Sequence, residues 1–407
     1  MLSPLRNSLF VCLLAPLLLA AGPTGDDWNG TPTPPQAPSA YELPSGGIRV
    51  TNAAQLKREL ARKPAKDIII ADGVYDNNRP FNPAAPHRLW SERLGGATFK
   101  AGIIFHSGVG AEVHGIRFDV NASAKTAHGA IILTRGKGHR TTVTDSWFEG
   151  NKTLQHGMLF KATDGVVVRR VIIRQFRRHG LRVDGWPHFG DPAPQISDVD
   201  VYWIRDPNPN CCKGMSEFGI LIRAVVPGGI VERAKARWMD WSCFLPIDAK
   251  GMIWRDLDCD WARQAFYIEH YTDGQLIERF SFGPNIIAGL NIEGALPNWH
   301  WRPSGERFTI QDGTMASVRK GVTISACNRD VTVQRVKFVG QCYVAVIDNT
   351  NHPSAAKHCS GGPVTLLEND YSQILSGARA IANNVPQFGG HICGEAEYKA
   401  LHGRFPR

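Results

Sequence analysis

Apolar and polar positions alternate along this chain in a phrase that keeps returning: an aliphatic residue, any residue, a charged residue, then alternation. It reads Val143-Thr-Asp145, Val168-Arg-Arg170, Ile196-Ser-Asp198, Val231-Glu-Arg233, Ile253-Trp-Arg255, Ile277-Glu-Arg279, Ile310-Gln-Asp312 and Val333-Gln-Arg335. The charged members are 25, 28, 35, 22, 24, 33 and 23 residues apart. A base period in the low twenties, lengthened by insertions, suits a three-sided coil of short strands in which the insertions become loops.

About ten residues after most of these phrases comes a second alternating segment, usually opened by glycine. Gly180-Leu-Arg-Val-Asp184, Ala265-Phe-Tyr-Ile-Glu269, Gly289-Leu-Asn-Ile-Glu293 and Gly321-Val-Thr-Ile-Ser325 are examples. The glycine marks a corner, and period-two alternation turns Leu181/Val183, Phe266/Ile268, Leu290/Ile292 and Val322/Ile324 inward as a stack. A βαβ fold would need amphipathic stretches of ten or more residues between strands, and the connections are too short and too β-branched. An antiparallel sandwich would use its Asp-Gly pairs as hairpin turns, but like residues return once per coil and fall into columns. At the N-terminal end, Asn52-Ala-Ala-Gln55 has the spacing of a helix capping box, Leu56 and Leu60 share a face, and Pro64 stops the helix. That helix would cover the open strand edge of the first coil. The predicted fold is all-β: a single right-handed parallel β-helix, a solenoid with a short N-terminal capping helix.

The segment Val50-Thr-Asn-Ala-Ala-Gln-Leu-Lys, followed by Ile68-Ile-Ile-Ala-Asp-Gly-Val-Tyr75, resembles the opening of pectate-lyase-like β-helix proteins, notably the alginate lyase and chondroitinase B group. The resemblance implies the same fold and points to polysaccharides as substrates. No segment matches the surroundings of that group's catalytic Lys and Arg, so no catalytic residue is carried over.

Composition adds the setting. Arg6, the apolar run from Leu9 to Leu19, and Ala20, Ala21 and Gly22 follow the order of a secretory signal peptide, assigned to 1–21. The run is short of the roughly 20 apolar residues a membrane span wants. Residues 22–46, rich in Pro, Thr, Gly and Ser, read as a linker, and 47–407 as one folded domain. A secreted protein, extracellular or periplasmic, is expected, monomeric and with neither nucleic acid nor membrane as partner. The net charge of +9 favours a polyanion, and for an exported chain this means an acidic polysaccharide, although excess Lys and Arg also serve solubility alone. Eight cysteines lie beyond the leader; no pair has zinc-site spacing, and Cys359–Cys393 is the expected bridge.

Aligning the second strands by their core positions gives one outward column: Lys161, Asp184, Arg223, Asp248, Glu269, Glu293, Ser325 and Asp348. Neighbours in it should lie about 5 Å apart. Alternating charges would simply pair, but Asp248, Glu269 and Glu293 are three acids in succession, which must bind a cation or share protons. If Asp248, Glu269 and Glu293 hold Ca²⁺, the ion neutralises a uronate carboxylate, and Arg223, Lys250, His270 or Tyr267 is the candidate base for β-elimination. If two carboxylates act alone, they suit glycoside hydrolysis. A second column, Arg170, Arg233, Arg255 and Arg279 interrupted by Asp198, reads as structural. Trp238, Trp241, Trp254 and Trp261 supply either a sugar platform or core, and His179, Trp186 and His188 a groove wall. A polysaccharide lyase cleaving a uronic-acid polymer is the leading expectation. A glycoside hydrolase, a C5-epimerase and a non-catalytic glycan-binding protein are the alternatives.

Overall fold

The computed structural model describes residues 41–383, apart from 107–108, 111, 121–128, 134–139, 162–164, 186–192, 205–216, 226, 294–304, 318, 352 and 354–359. The proposed leader, nearly all of the linker, Cys359 and Cys393 therefore lie outside the described residues. Among those described are 28 strands and one helix, and every strand pairing between them is parallel.

The strands form three sheets wound one after another in each coil, the right-handed parallel β-helix expected from the sequence. The first sheet is aligned by one inward column: Ile68, Leu89, Val113, Val143, Val168, Ile196, Val231, Trp254, Ile277, Ile310, Val333 and Leu366. All but Leu366, in the last coil, are fully buried. Burying each such side chain contributes about 1.5–3 kcal/mol, and the stack repeats that gain coil after coil. The third sheet is aligned by Leu181, Ile220, Phe244, Phe266, Leu290, Val322 and Val346, so the predicted inward pairs do stack.

The register corrects the repeat at one coil. Trp254, not Ile253, occupies the inward position, so Arg255 pairs with Glu232 and the corner residue is Asp256. A core position filled by an indole, donating its N–H to Gln275 at 2.9 Å, is invisible to a search for aliphatic residues. The corrected corner column reads Asp145, Arg170, Asp198, Arg233, Asp256, Arg279, Asp312, Arg335, each with φ between 49° and 56°. Four forked ion pairs follow, with Arg Nε to Asp Oδ1 at 2.6 Å (Arg170–Asp145), 2.7 Å (Arg233–Asp198), 2.8 Å (Arg279–Asp256) and 2.6 Å (Arg335–Asp312). The expected mixed column of Arg and Asp is thus corrected only at Arg255, replaced by Asp256, and its signs alternate throughout as cross-coil ion pairs.

The helix spans Ala53–Leu60. Asn52 Oδ1 accepts the Gln55 N–H at 2.9 Å, while Gln55 Oε1 accepts the Thr51 N–H at 2.8 Å, and such a cap contributes about 1 kcal/mol. Leu56 and Leu60 are buried in the same core cluster as Val50, Ile68 and Ile70. Cys243 and Cys259 form a disulfide inside the core with their Cα atoms 6.1 Å apart. Closing a loop of 16 residues this way stabilises by about 3 kcal/mol. Cys327 and Cys342 are also disulfide-bonded.

Candidate active site

The third sheet carries the predicted column at the downstream end of its strands, and most of it falls into register. Lys161 lies beside Asp184, Asp184 beside Arg223, Arg223 beside Ile247 and Ile247 beside Glu269. Glu269 and Glu293 each follow directly on the paired Ile268 and Ile292, so they too are neighbours. Two positions slip. Ile247, not Asp248, faces Arg223 and Glu269, because Asp248 has turned into the corner with φ 50°; Asp348 pairs with the inward Ile324 and bonds to Thr350 instead. The place level with Ile268 and Ile292 is filled by Pro246 in one coil and that level with Ile324 by Asp348 in another, which a search for aliphatic residues does not reveal.

What gathers at this end is compact. One ligand atom from each of Glu269, His270 and Glu293 lies within 4.8 Å of the others, and His270 Nδ1 is 4.0 Å from Glu293 Oε2. The turn presenting His270 has left-handed backbone at His270 (φ 32°) and Tyr271 (φ 34°). The buried Thr272 hydroxyl braces it, lying 2.6 Å from the Glu269 carbonyl and 3.0 Å from that of His270. Behind the turn Gly305 has no room for a side chain: a Cβ there would stand 1.5 Å from the Thr272 carbonyl oxygen.

Electrostatics follow from crowding. Burial, then Glu293 and then Asp248, push the Glu269 carboxyl up to about 7. Burial raises Glu293 as well, and raises Asp248 against the opposing pull of Arg223 and His270. The Tyr267 hydroxyl lies against both glutamates, and burial, then Glu293 and Glu269, drive its pKa far above the usual phenol value, so the hydroxyl keeps its proton. Arg223 is half exposed, with Nε 3.9 Å from Asp248 Oδ2. Glu293 Oε2 is buried without a hydrogen-bond partner. An orphaned carboxylate oxygen among neighbouring acids fits a hard divalent cation: Glu269 and Glu293 supply the oxygen ligands, with Asp248 one coil away on the Arg223 side.

The structure thus brings together Glu269, His270, Glu293, Tyr267, Asp248 and Arg223. Lys250 is exposed in the next turn, paired through its backbone with Asp273, and does not join them. His179 packs instead of lining a groove: it is buried, its Nδ1 donates to the Arg178 carbonyl at 2.8 Å, and burial holds it well below the ordinary histidine pKa. Trp186 and His188 lie outside the described residues. Trp254 is core, while Trp238 and Trp261 sit at the corner between the second and third sheets with φ 60° and 56°. Sequence reasoning missed Lys320, on the outward face of the third sheet, whose amine burial and then Arg319 bring down to about 8.

No family model and no curated protein matches this chain. Among solved structures it superposes on a mannuronic acid-specific polysaccharide family 6 lyase from human gut microbiota with a TM-score of 0.54 and 12% identity, over 83% of this chain and 86% of that one. It is also similar to a family 6 alginate lyase in complex with a trisaccharide, at TM-score 0.49 and 13% identity, over 86% and 91% of the two chains. The likeness shows the fold alone, a parallel β-helix.

Proposed function

We propose that this protein is a secreted enzyme acting on acidic polysaccharides, and that it is a lyase cleaving a uronic-acid polymer by β-elimination. The observation that carries the reading is the convergence of Glu269, His270 and Glu293 around the orphaned Glu293 Oε2. Glu269 and Glu293 would hold a divalent cation, Ca²⁺ by preference, and such an ion would supply positive charge to neutralise a uronate carboxylate and make the C5 hydrogen more acidic. Arg223, half exposed beside Asp248, anchors the same acidic sugar by charge. His270, with one ring edge facing Glu293 and nearly half its side chain exposed, takes the C5 proton; the freed electron pair forms the C4–C5 double bond as the C4–O glycosidic bond breaks, and the departing oxygen takes a proton from water. Tyr267 fixes the two carboxylates from below. The likeness to a mannuronic acid-specific lyase supports a uronate substrate, and the net charge of +9 supports a polyanion. The partner is a polysaccharide, and the protein works as a monomer away from membranes and nucleic acid. Among the described residues no helix is long and apolar enough to cross a membrane.

The test is to incubate the protein with pectin, alginate, glycosaminoglycans and neutral glycans, with Ca²⁺ and then with chelator, reading ultraviolet absorbance and reducing ends together. A lyase gives new absorbance from unsaturated uronate, lost with chelator. Reducing ends without absorbance would instead establish a hydrolase using Glu269 and Glu293 as its carboxylate pair.

A further inference from the structure

A β-bulge sets up a second charged position on the same face. The strand Lys235–Ile247 pairs with Ile253–Ile268 in step through Met239 and Ala262, then resumes at Ser242 and Gln264. Asp240 and Trp241 together therefore stand opposite Arg263, and bulges of this kind re-aim side chains. Trp241 lands on the outward face of the third sheet, packed against Phe218, Leu221, Leu245 and Tyr267, and presents its ring edge-on to Tyr267 with centroids 6.4 Å apart. The Arg263 guanidinium lies over the Trp241 ring, its carbon 5.4 Å from the centroid.

Arg263 differs from the arginines of the corner column. Arg170, Arg233, Arg279 and Arg335 each grip a carboxylate, whereas Arg263 makes no ion pair with any described residue and rests on an indole instead. The indole fixes the guanidinium plane without neutralising its charge, and no carboxylate of a described residue engages its donor fork. The apolar floor beneath it runs on to Tyr267, and the Tyr267 hydroxyl touches Glu269 and Glu293. One elongated ligand lying on the third sheet would reach both places.

We propose that Arg263, oriented by Trp241, is a binding site for the carboxylate of a uronate in the polymer whose reacting unit lies at Glu269 and Glu293. This rests on the functional reading above and adds where and how a second acidic sugar, several units along the polymer from the reacting one, is recognised. Arg263 binds the sugar, and Trp241 is a positioning residue.

The test is calorimetric binding of short alginate and pectate oligomers, and of the same oligomers with their carboxyl groups reduced, to a His270→Ala parent that keeps both glutamates. Arg263→Ala should weaken binding of the acidic oligomers about tenfold or more and leave the reduced oligomers unaffected, as expected for one lost charged hydrogen-bonded contact. Arg263→Lys should restore only part of the loss, because a point charge cannot reproduce the fork, and Trp241→Leu should give a smaller loss confined to the acidic oligomers. Thermal melts of Arg263→Ala and Arg263→Gln verify that both variants fold. An Arg263→Ala protein that binds acidic oligomers as tightly as the parent, or loses acidic and reduced oligomers equally, overturns the inference while leaving the functional reading in place. A parent that binds no polyuronate overturns both.

Discussion

Two columns of charged side chains climb this solenoid at the same coil spacing, yet they behave in opposite ways. At the corner between the first and second sheets the signs alternate from Asp145 to Arg335, each arginine gripping the aspartate one coil below, and the carboxyls of Asp198, Asp256 and Asp312 are held below their ordinary range. At the end of the third sheet Glu269 and Glu293 are direct neighbours, with Asp248 close by at the adjoining corner beside Arg223, and burial raises all three carboxyls. Strand spacing supplies the proximity in both cases, and the order of signs decides whether it stabilises the fold or prepares a reactive centre.

The sharpest way to break this contrast is at Glu269. Glu269→Gln keeps the shape but removes one cation ligand, and turnover on a polyuronate should fall by about 10²–10⁴-fold. The matching loss at the corner, Arg233→Gln, should leave turnover unchanged. Steady-state kinetics on both variants decides it, and equal effects would mean that the two columns do not differ in role.

Stability against pH gives the next largest effect. Glu269 sits at about 7 in the folded protein against an ordinary 4.5, so between those values the folded state binds the proton that the unfolded chain releases. Without divalent cation, stability should therefore be unaffected by this group below about pH 4.5, decline as pH rises toward 7, and stay reduced above it, by about 3 kcal/mol in all. Glu293 and Asp248 act in the same direction. Urea denaturation at pH 5 and pH 8 should show Glu269→Gln more stable than wild type only at the higher pH.

The smallest effect belongs to the corner. Arg233→Glu would create a run of acids from Asp198 to Asp256, imitating the other column where side chains are half exposed. Solvent screening limits the cost to about 1 kcal/mol, shrinking with added salt in denaturant melts. A much larger cost would mean that the corner pairs are energetically central.

How much of this was legible in the sequence depended on what kind of signal each residue gave. Periodicity located the first- and third-sheet strands because aliphatic residues such as Val168, Ile196 and Ile277 return in register, and it failed where Trp254 took the aliphatic place. The acidic cluster was readable because Glu269 and Glu293 follow equivalent isoleucines. His270 was readable only as the next residue, since its place beside Glu293 depends on the left-handed turn braced by Thr272. Asp248 was misplaced by one position because Pro246, and not Ile247, takes the inward place. The Cys243–Cys259 bridge joins strands of two faces and leaves no local trace, and the bulge at Trp241 breaks a register that alternation assumes to be continuous. The expected Cys359–Cys393 bridge lies outside the described residues.

The most direct test of the account is whether this acidic end binds a divalent cation. Thermal melts of the wild type, Glu269→Gln and Glu293→Gln with increasing Ca²⁺ at pH 8 would measure it, since a ligand bound only by the folded state raises the melting temperature by mass action. The account predicts a Ca²⁺-dependent rise in the wild type that both substitutions abolish. A wild-type melt indifferent to Ca²⁺, or a rise that survives in both variants, would contradict it.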